Sequence, residues 1–183
     1  RLPSRAGGAR HAAKLGRLGW PATRVFVINA RIDEWLPHVT ALQSLTSLDV
    51  QGLGFRVDNV RALRSLSRLT TLHLGWNGVD DPTIRELTAL TDLTSLDLSS
   101  SLIGVDGLRA LSSLPRLTAL ALCSNFIGID GAKALASLTR LTALELHHND
   151  LGDDGAKALR SLTRLTTLNL GLNNIGAKGA RAL

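Results

Sequence analysis

The chain has 183 residues, with 21 Lys+Arg against 15 Asp+Glu, a formal net charge of +6, 44% apolar content and only 3% aromatic. A single cysteine, Cys123, excludes a disulfide-stapled secreted domain and favours a reducing compartment, hence an intracellular location. No apolar run approaches the roughly 18 residues of a membrane span, and the sequence contains no Asn-x-Ser/Thr sequon, P-loop, nucleophile elbow, His-Glu-x-x-His, paired Cys-x-x-Cys or dinucleotide fingerprint.

The first stretch, residues 1–20, is a basic extension. Ala12 to Trp20 is expected to form a short helix closing one end of the core, with Leu15, Leu18 and Trp20 facing inward. The chain starts at Arg1 and contains no Met, so it reads as a fragment or a processed product. Charge is uneven along it. Residues 1–40 hold Arg1, Arg5, Arg10, Lys14, Arg17, Arg24 and Arg31 against Asp33 and Glu34, a balance of +5; residues 41–183 hold 14 basic and 13 acidic residues, a balance of +1. Residues 21–44 read as a degenerate capping repeat, with Val25, Val27 and Ile32 in strand-and-turn places and Val39 and Leu42 in helix columns.

From residue 45 a 24-residue period takes over. Leu45, Leu69, Leu93, Leu117, Leu141 and Leu165 open six units; Leu48 to Leu168 and then Val50 to Leu170 follow at the same spacing. Leu-x-x-Leu-x-Leu alternates with period two and predicts a short strand with one buried face. Further apolar columns, Leu63 to Leu183 and Leu66 to Leu162, are spaced as in a helix. Asp58, Asp106, Asp130 and Asp154 are expected just before each helix as caps. The cations three residues later should face outward, and Asn77, Asn125, Asn149 and Asn173 are expected to be buried, bonding the turning backbone. The early units drift: Leu53 stands in the Asn column, and Asp80-Asp81-Pro82-Thr83 replaces Gly-x-Asp-Gly. The sixth unit stays regular to Leu183, which predicts that the natural protein continues. The fold class is therefore α/β, a solenoid of strand–turn–helix units with a parallel sheet on the concave face and helices on the convex face.

Residues 141–164, LTALELHHNDLGDDGAKALRSLTR, resemble a leucine-rich repeat of the helical, ribonuclease-inhibitor-like kind. They are closer still to the 24-residue bacterial GALA-type repeats, through Gly131-Ala132-Lys133-Ala134-Leu135, Gly155-Ala156-Lys157-Ala158-Leu159 and Gly179-Ala180-Arg181-Ala182-Leu183. The resemblance covers residues 45–183. It implies the target-binding domain of an effector that a plant-pathogenic bacterium delivers into the host-cell cytoplasm, where it binds a host protein. Alternatively, it implies the targeting half of a larger effector enzyme, Fic-type or ubiquitin-ligase-like, whose catalytic part lies outside these residues. Residues 1–44 do not read as an F-box, because Leu2-Pro3 leads into glycines and basic residues.

Candidate partner-binding residues follow from the strand pattern. The position between the second and third strand Leu gives Asp49, His73, Asp97, Ala121, Glu145 and Asn169; the next outward column includes Cys123 and His147; Trp76, His148 and Phe126 lie beside them. Aromatics dominate interface hot spots, so Trp76 and Phe126 are the expected anchors, the alternative being that they pack against neighbouring turns. The acidic row should prefer a basic partner surface. Asp49–His73–Asp97 and Cys123–Glu145–His147 contain the residue types of a metal or acid–base site. An open sheet, however, offers no pocket that excludes water, so no catalytic residue, metal or cofactor is assigned. The repeated cations Arg61, Arg85, Arg109, Lys133, Lys157 and Arg181 are matched by acidic neighbours and lack interleaved aromatics, which argues against nucleic acid. The expected molecule is a monomer with a protein partner.

Overall fold

The computed structural model describes residues 23–27 and 31–183. The helix expected over Ala12–Trp20 lies outside the described residues. Among the described residues seven parallel strands form one sheet in sequence order: β1 (Arg24–Phe26), β2 (Ser47–Asp49), β3 (Thr71–His73), β4 (Ser95–Asp97), β5 (Ala119–Ala121), β6 (Ala143–Glu145) and β7 (Thr167–Asn169). Helices return the chain between and after them: α1 (Ile32–Thr40), α2 (Val57–Ala62), α3 (Asp81–Leu87), α4 (Val105–Ala110), α5 (Gly128–Leu135), α6 (Gly152–Ala158) and α7 (Ala177–Ala180). Leu48, Leu72, Leu96, Leu120 and Leu144 are stacked by the strand register and fully or almost fully buried. Val50, Leu74, Leu98, Leu122 and Leu146 seal the next layer. The core is one continuous Leu stack between sheet and helices.

At the first coil the period breaks by one. Val25 pairs with Leu48, 23 residues away, whereas Val39 keeps the 24-residue spacing to Leu63. The strand-to-helix turn is therefore one residue shorter, and Phe26 rather than Val25 faces outward. At this end Trp35 stacks on Phe55 with ring centroids 6.1 Å apart, both buried. The aromatic pair fills the core where the Leu columns begin. In the sixth unit Leu165, Leu168 and Leu170 are only partly covered.

Two polar ladders hold the coils in register. Asn149 accepts from the amides of Asn125 (2.9 Å) and Ile127 (3.4 Å) and donates to the carbonyls of Leu122, Leu146 and His147. The buried Asn125 and Asn173 do the same job in their coils, as expected from the sequence, and Asn77 does so while only half-buried. Each side chain satisfies backbone groups that a buried turn would otherwise leave unpaired. On the opposite corner the hydroxyls of Thr46, Thr70, Thr94, Thr118, Thr142 and Thr166 each donate to the carbonyl of the equivalent residue one coil earlier.

The capping expectation needs correction. Asp58, Asp106, Asp130 and Asp154 sit inside the first helical turn, and none of their side chains takes a free amide of its own helix; at α2 Asn59 Oδ1 takes the Arg56 amide instead, at 2.8 Å. α5 and α6 start earlier than the sequence pattern suggests, at Gly128 and Gly152, which moves Asp130 and Asp154 to the third helical position. Three of the four instead pair with the cation three residues on: Arg61–Asp58 at 3.0 Å, Arg109–Asp106 at 3.6 Å and Lys133–Asp130 at 2.9 Å. The helix that departs from the repeat carries the true side-chain cap. Asp80 accepts from the Thr83 hydroxyl (2.6 Å) and amide (3.0 Å), with Pro82 in the first turn.

Candidate functional site

The strand register places Phe26, Asp49, His73, Asp97, Ala121, Glu145 and Asn169 side by side in one row. Neighbours in such a row lie about 4.8 Å apart. Asp97 is the most engaged member. Its Oδ1 accepts from the Ser99 amide (2.9 Å) and hydroxyl (2.7 Å), its Oδ2 from Gln51 Nε2 (3.4 Å), and His73 Nδ1 lies 3.8 Å away. Asp49 accepts from the Gln51 amide at 3.3 Å. The Glu145 side chain makes no hydrogen bond or ion pair among the described residues, so its carboxylate is available to a ligand. In the neighbouring column Cys123 is half-buried, and the His147 ring lies over Gly171, where a Cβ would come within 2.7 Å of Nδ1.

Beyond the strands the backbone is unusual. Trp76, Ser100, Ser124, His148 and Leu172 all have φ between 53° and 61°, and Phe126, Asp150 and Asn174 have φ of 53–54°. Left-handed backbone of this kind is costly for bulky residues. Here it recurs in the turns that the Asn ladder lines, and at Ser100 it persists where Ser101 interrupts that ladder. The consequence is that Trp76 and Phe126 point into solvent, 71% and 79% exposed. The alternative expectation, packing against neighbouring turns, is overturned. Phe126 meets the exposed ring of His148 at 6.2 Å and is otherwise open.

The convex side is built differently. Glu86 receives both Arg61 (3.0 Å) and Arg64, and these contacts hold its carboxyl below the usual range, the Arg61 hydrogen bond contributing most. Arg116 pairs with Asp92 at 3.1 Å. Among the described residues no group of three His, Cys, Asp or Glu side chains converges to hold a metal ion, and no helix is long and apolar enough to cross a membrane.

Leucine-rich repeat family models match residues 91–151, and residues 66–86 with 161–183, together more than half of the chain. The chain is a leucine-rich repeat protein. Its repeats are similar in fold to an internalin, inlF, from Listeria monocytogenes: TM-score 0.59, 23% identity, 93% of this chain and 54% of that one covered. The leucine-rich repeat fold is thus shared with a longer protein of which this chain spans about half. No curated protein matches the sequence.

Within this leucine-rich repeat frame the sequence-derived residues fall on one side of the molecule. Asp49, His73, Asp97, Glu145 and Asn169 share the row, Cys123 and His147 the adjacent column, and Trp76, Phe126 and His148 the left-handed turns beside it. Cys123 forms no hydrogen bond with Glu145 or His147. Phe26, 60% exposed with the Arg24 guanidinium 5.5 Å from its ring centroid, is the member that the 24-residue spacing missed. A 23-residue step at the first strand was the signal. Leu102 (75% exposed) and Leu172 (69%) extend the apolar surface along the same turns.

Proposed function

We propose that this chain is a protein-recognition module whose partner sits on the strand-and-turn face. The observation that carries the reading is the exposure of Trp76 and Phe126, at 71% and 79%, beside the polar row from Asp49 to Glu145. Large aromatics that the fold does not bury are the residue types from which interface anchors are drawn. The resemblance to GALA-type repeats extends the reading to an effector that acts on a host protein with a basic surface, working as a monomer. On the convex side Arg61, Arg64, Arg109, Arg116 and Lys133 are paired with Asp58, Glu86, Asp92, Asp106 and Asp130, and no aromatic is interleaved with the remaining cations for base stacking.

The test is a quantitative pull-down from plant-cell extract, comparing wild type with a Trp76→Ala, Glu145→Lys double variant of equal thermal stability. Proteins retained by wild type are expected to be lost from the variant. Equal recovery of the same proteins by both would remove the face from consideration.

A further inference from the structure

The six strand-and-turn segments, 47–54, 71–78, 95–102, 119–126, 143–150 and 167–174, contain no Lys or Arg among 48 residues, although residues 41–183 hold 14 of them. The same segments carry Asp49, Asp97, Glu145 and Asp150. Apart from Arg56, which immediately precedes α2, the cations of these repeats lie on the helices or the helix-to-strand corners. Such segregation gives the face of the repeats an acidic character, with Arg24 of β1 as the cation at its first-strand end.

The acids are also periodic. Asp49, Asp97 and Glu145 occupy the same row on β2, β4 and β6, with His73 and Ala121 between them. Strands about 4.8 Å apart put these carboxylates roughly 10 Å from one another. The aromatics stand beside the row on the two intervening coils, in different columns: Trp76 three residues beyond His73 of β3 and Phe126 five residues beyond Ala121 of β5. A ligand lying across the coils therefore meets a carboxylate at a regular interval, with an exposed aromatic flanking each gap. A β-strand presents same-face residues about every 6.6 or 13 Å and does not match. A polyproline II segment rises about 3.1 Å per residue with three residues per turn, so residues i, i+3 and i+6 share one face at about 9 Å. Its other two edges are free to meet a flanking aromatic ridge, the mode by which aromatic-lined grooves take such segments.

We propose, resting on the recognition reading above, that this face binds an extended, polyproline-II-like segment with Lys or Arg at every third residue. The cations face Asp49, Asp97 and Glu145, and apolar side chains between them lie against Trp76 and Phe126.

Fluorescence anisotropy with the whole chain and three labelled peptides tests this. The first is Lys-Pro-Leu repeated three times; the second has the same composition with its Lys, Pro and Leu in blocks; the third is an Ala-rich helix with Lys at every seventh residue, which also repeats at about 10 Å. The first is expected to bind about tenfold more tightly than the other two, and to weaken about tenfold with Glu145→Gln and with Trp76→Ala. Circular dichroism of each variant should match wild type. Equal affinity for the first two peptides, preference for the helix, or indifference to Glu145→Gln would each overturn the proposal. The two ideas fail separately. A pull-down partner lost from the double variant, with peptides undiscriminated, leaves the face and removes the extended segment. Discriminated peptides with an indifferent pull-down do the reverse.

Discussion

Asn149 is buried and its side chain makes five hydrogen bonds, two received from the coil before it and three given to carbonyls of that coil and its own. Alanine would orphan amides and carbonyls that water cannot reach. At roughly 1–3 kcal/mol for each group left buried and unpaired, partly relieved by local relaxation, Asn149→Ala should cost about 3 kcal/mol. Urea unfolding would show this as a lower midpoint at unchanged slope. Asn169→Ala is the control. It removes an exposed side chain that accepts one amide, from Gly171 at 3.0 Å, and should cost less than about 1 kcal/mol. Equal losses would show that the ladder does not hold the coils. Ser101 marks what happens when the column is interrupted: it is buried, its hydroxyl has no partner among the described residues, and Leu102 beside it leaves the left-handed region that Phe126 and Asp150 adopt.

Helix α3 owes its start to Asp80, whose carboxyl is held below its ordinary value first by the Thr83 hydroxyl and then by the Thr83 amide. A depressed carboxyl adds stability above the unfolded value near 4 and loses it as pH falls through the folded value. Asp80→Ala should therefore cost about 1 kcal/mol at pH 7, the usual effect of losing an N-cap. The gap to wild type should close as the pH drops below about 4. A gap that is constant with pH in urea titrations would sink the capping account. The element pattern was legible because a 24-residue period and two spacings, two and three-to-four, carry it. The caps were not, because helix starts shift by a few residues without disturbing the Leu columns. Two other devices lay out of reach for a related reason. Asp81 accepts from the Gly104 amide at 2.7 Å and Asp153 from Gly176 at 2.8 Å. Partners 23 residues apart become neighbours only after the coil has closed. The room for the first clamp comes from Gly107, where a Cβ would lie 2.4 Å from Asp81 Oδ1. The site was legible in its row, since alternation fixes which residues face outward. The left-handed turns that expose Trp76 and Phe126 were not, because neither residue advertises such a backbone.

In a molecule built by stacking the continuous core is divided among the coils, and each coil is stabilised by the coils on its two sides. Leu72 lies in β3 with β2 and β4 flanking it and is fully buried, whereas Leu168 in β7 pairs with β6 alone and is only partly covered. The same substitution should then have different consequences along the axis. Leu72→Ala leaves a cavity enclosed on both sides and should cost about 3–4 kcal/mol. Leu168→Ala removes a side chain already half in water and should cost about half as much. Hydrogen exchange on the unmodified chain should follow the same gradient, with peptides from 165–183 exchanging before those from 69–98, because opening the outer coil breaks one interface and opening an inner coil breaks two. Uniform protection along the repeats, with equal costs for the two substitutions, would mean that the coils unfold as one unit. The nearest-neighbour picture of this solenoid would then be wrong.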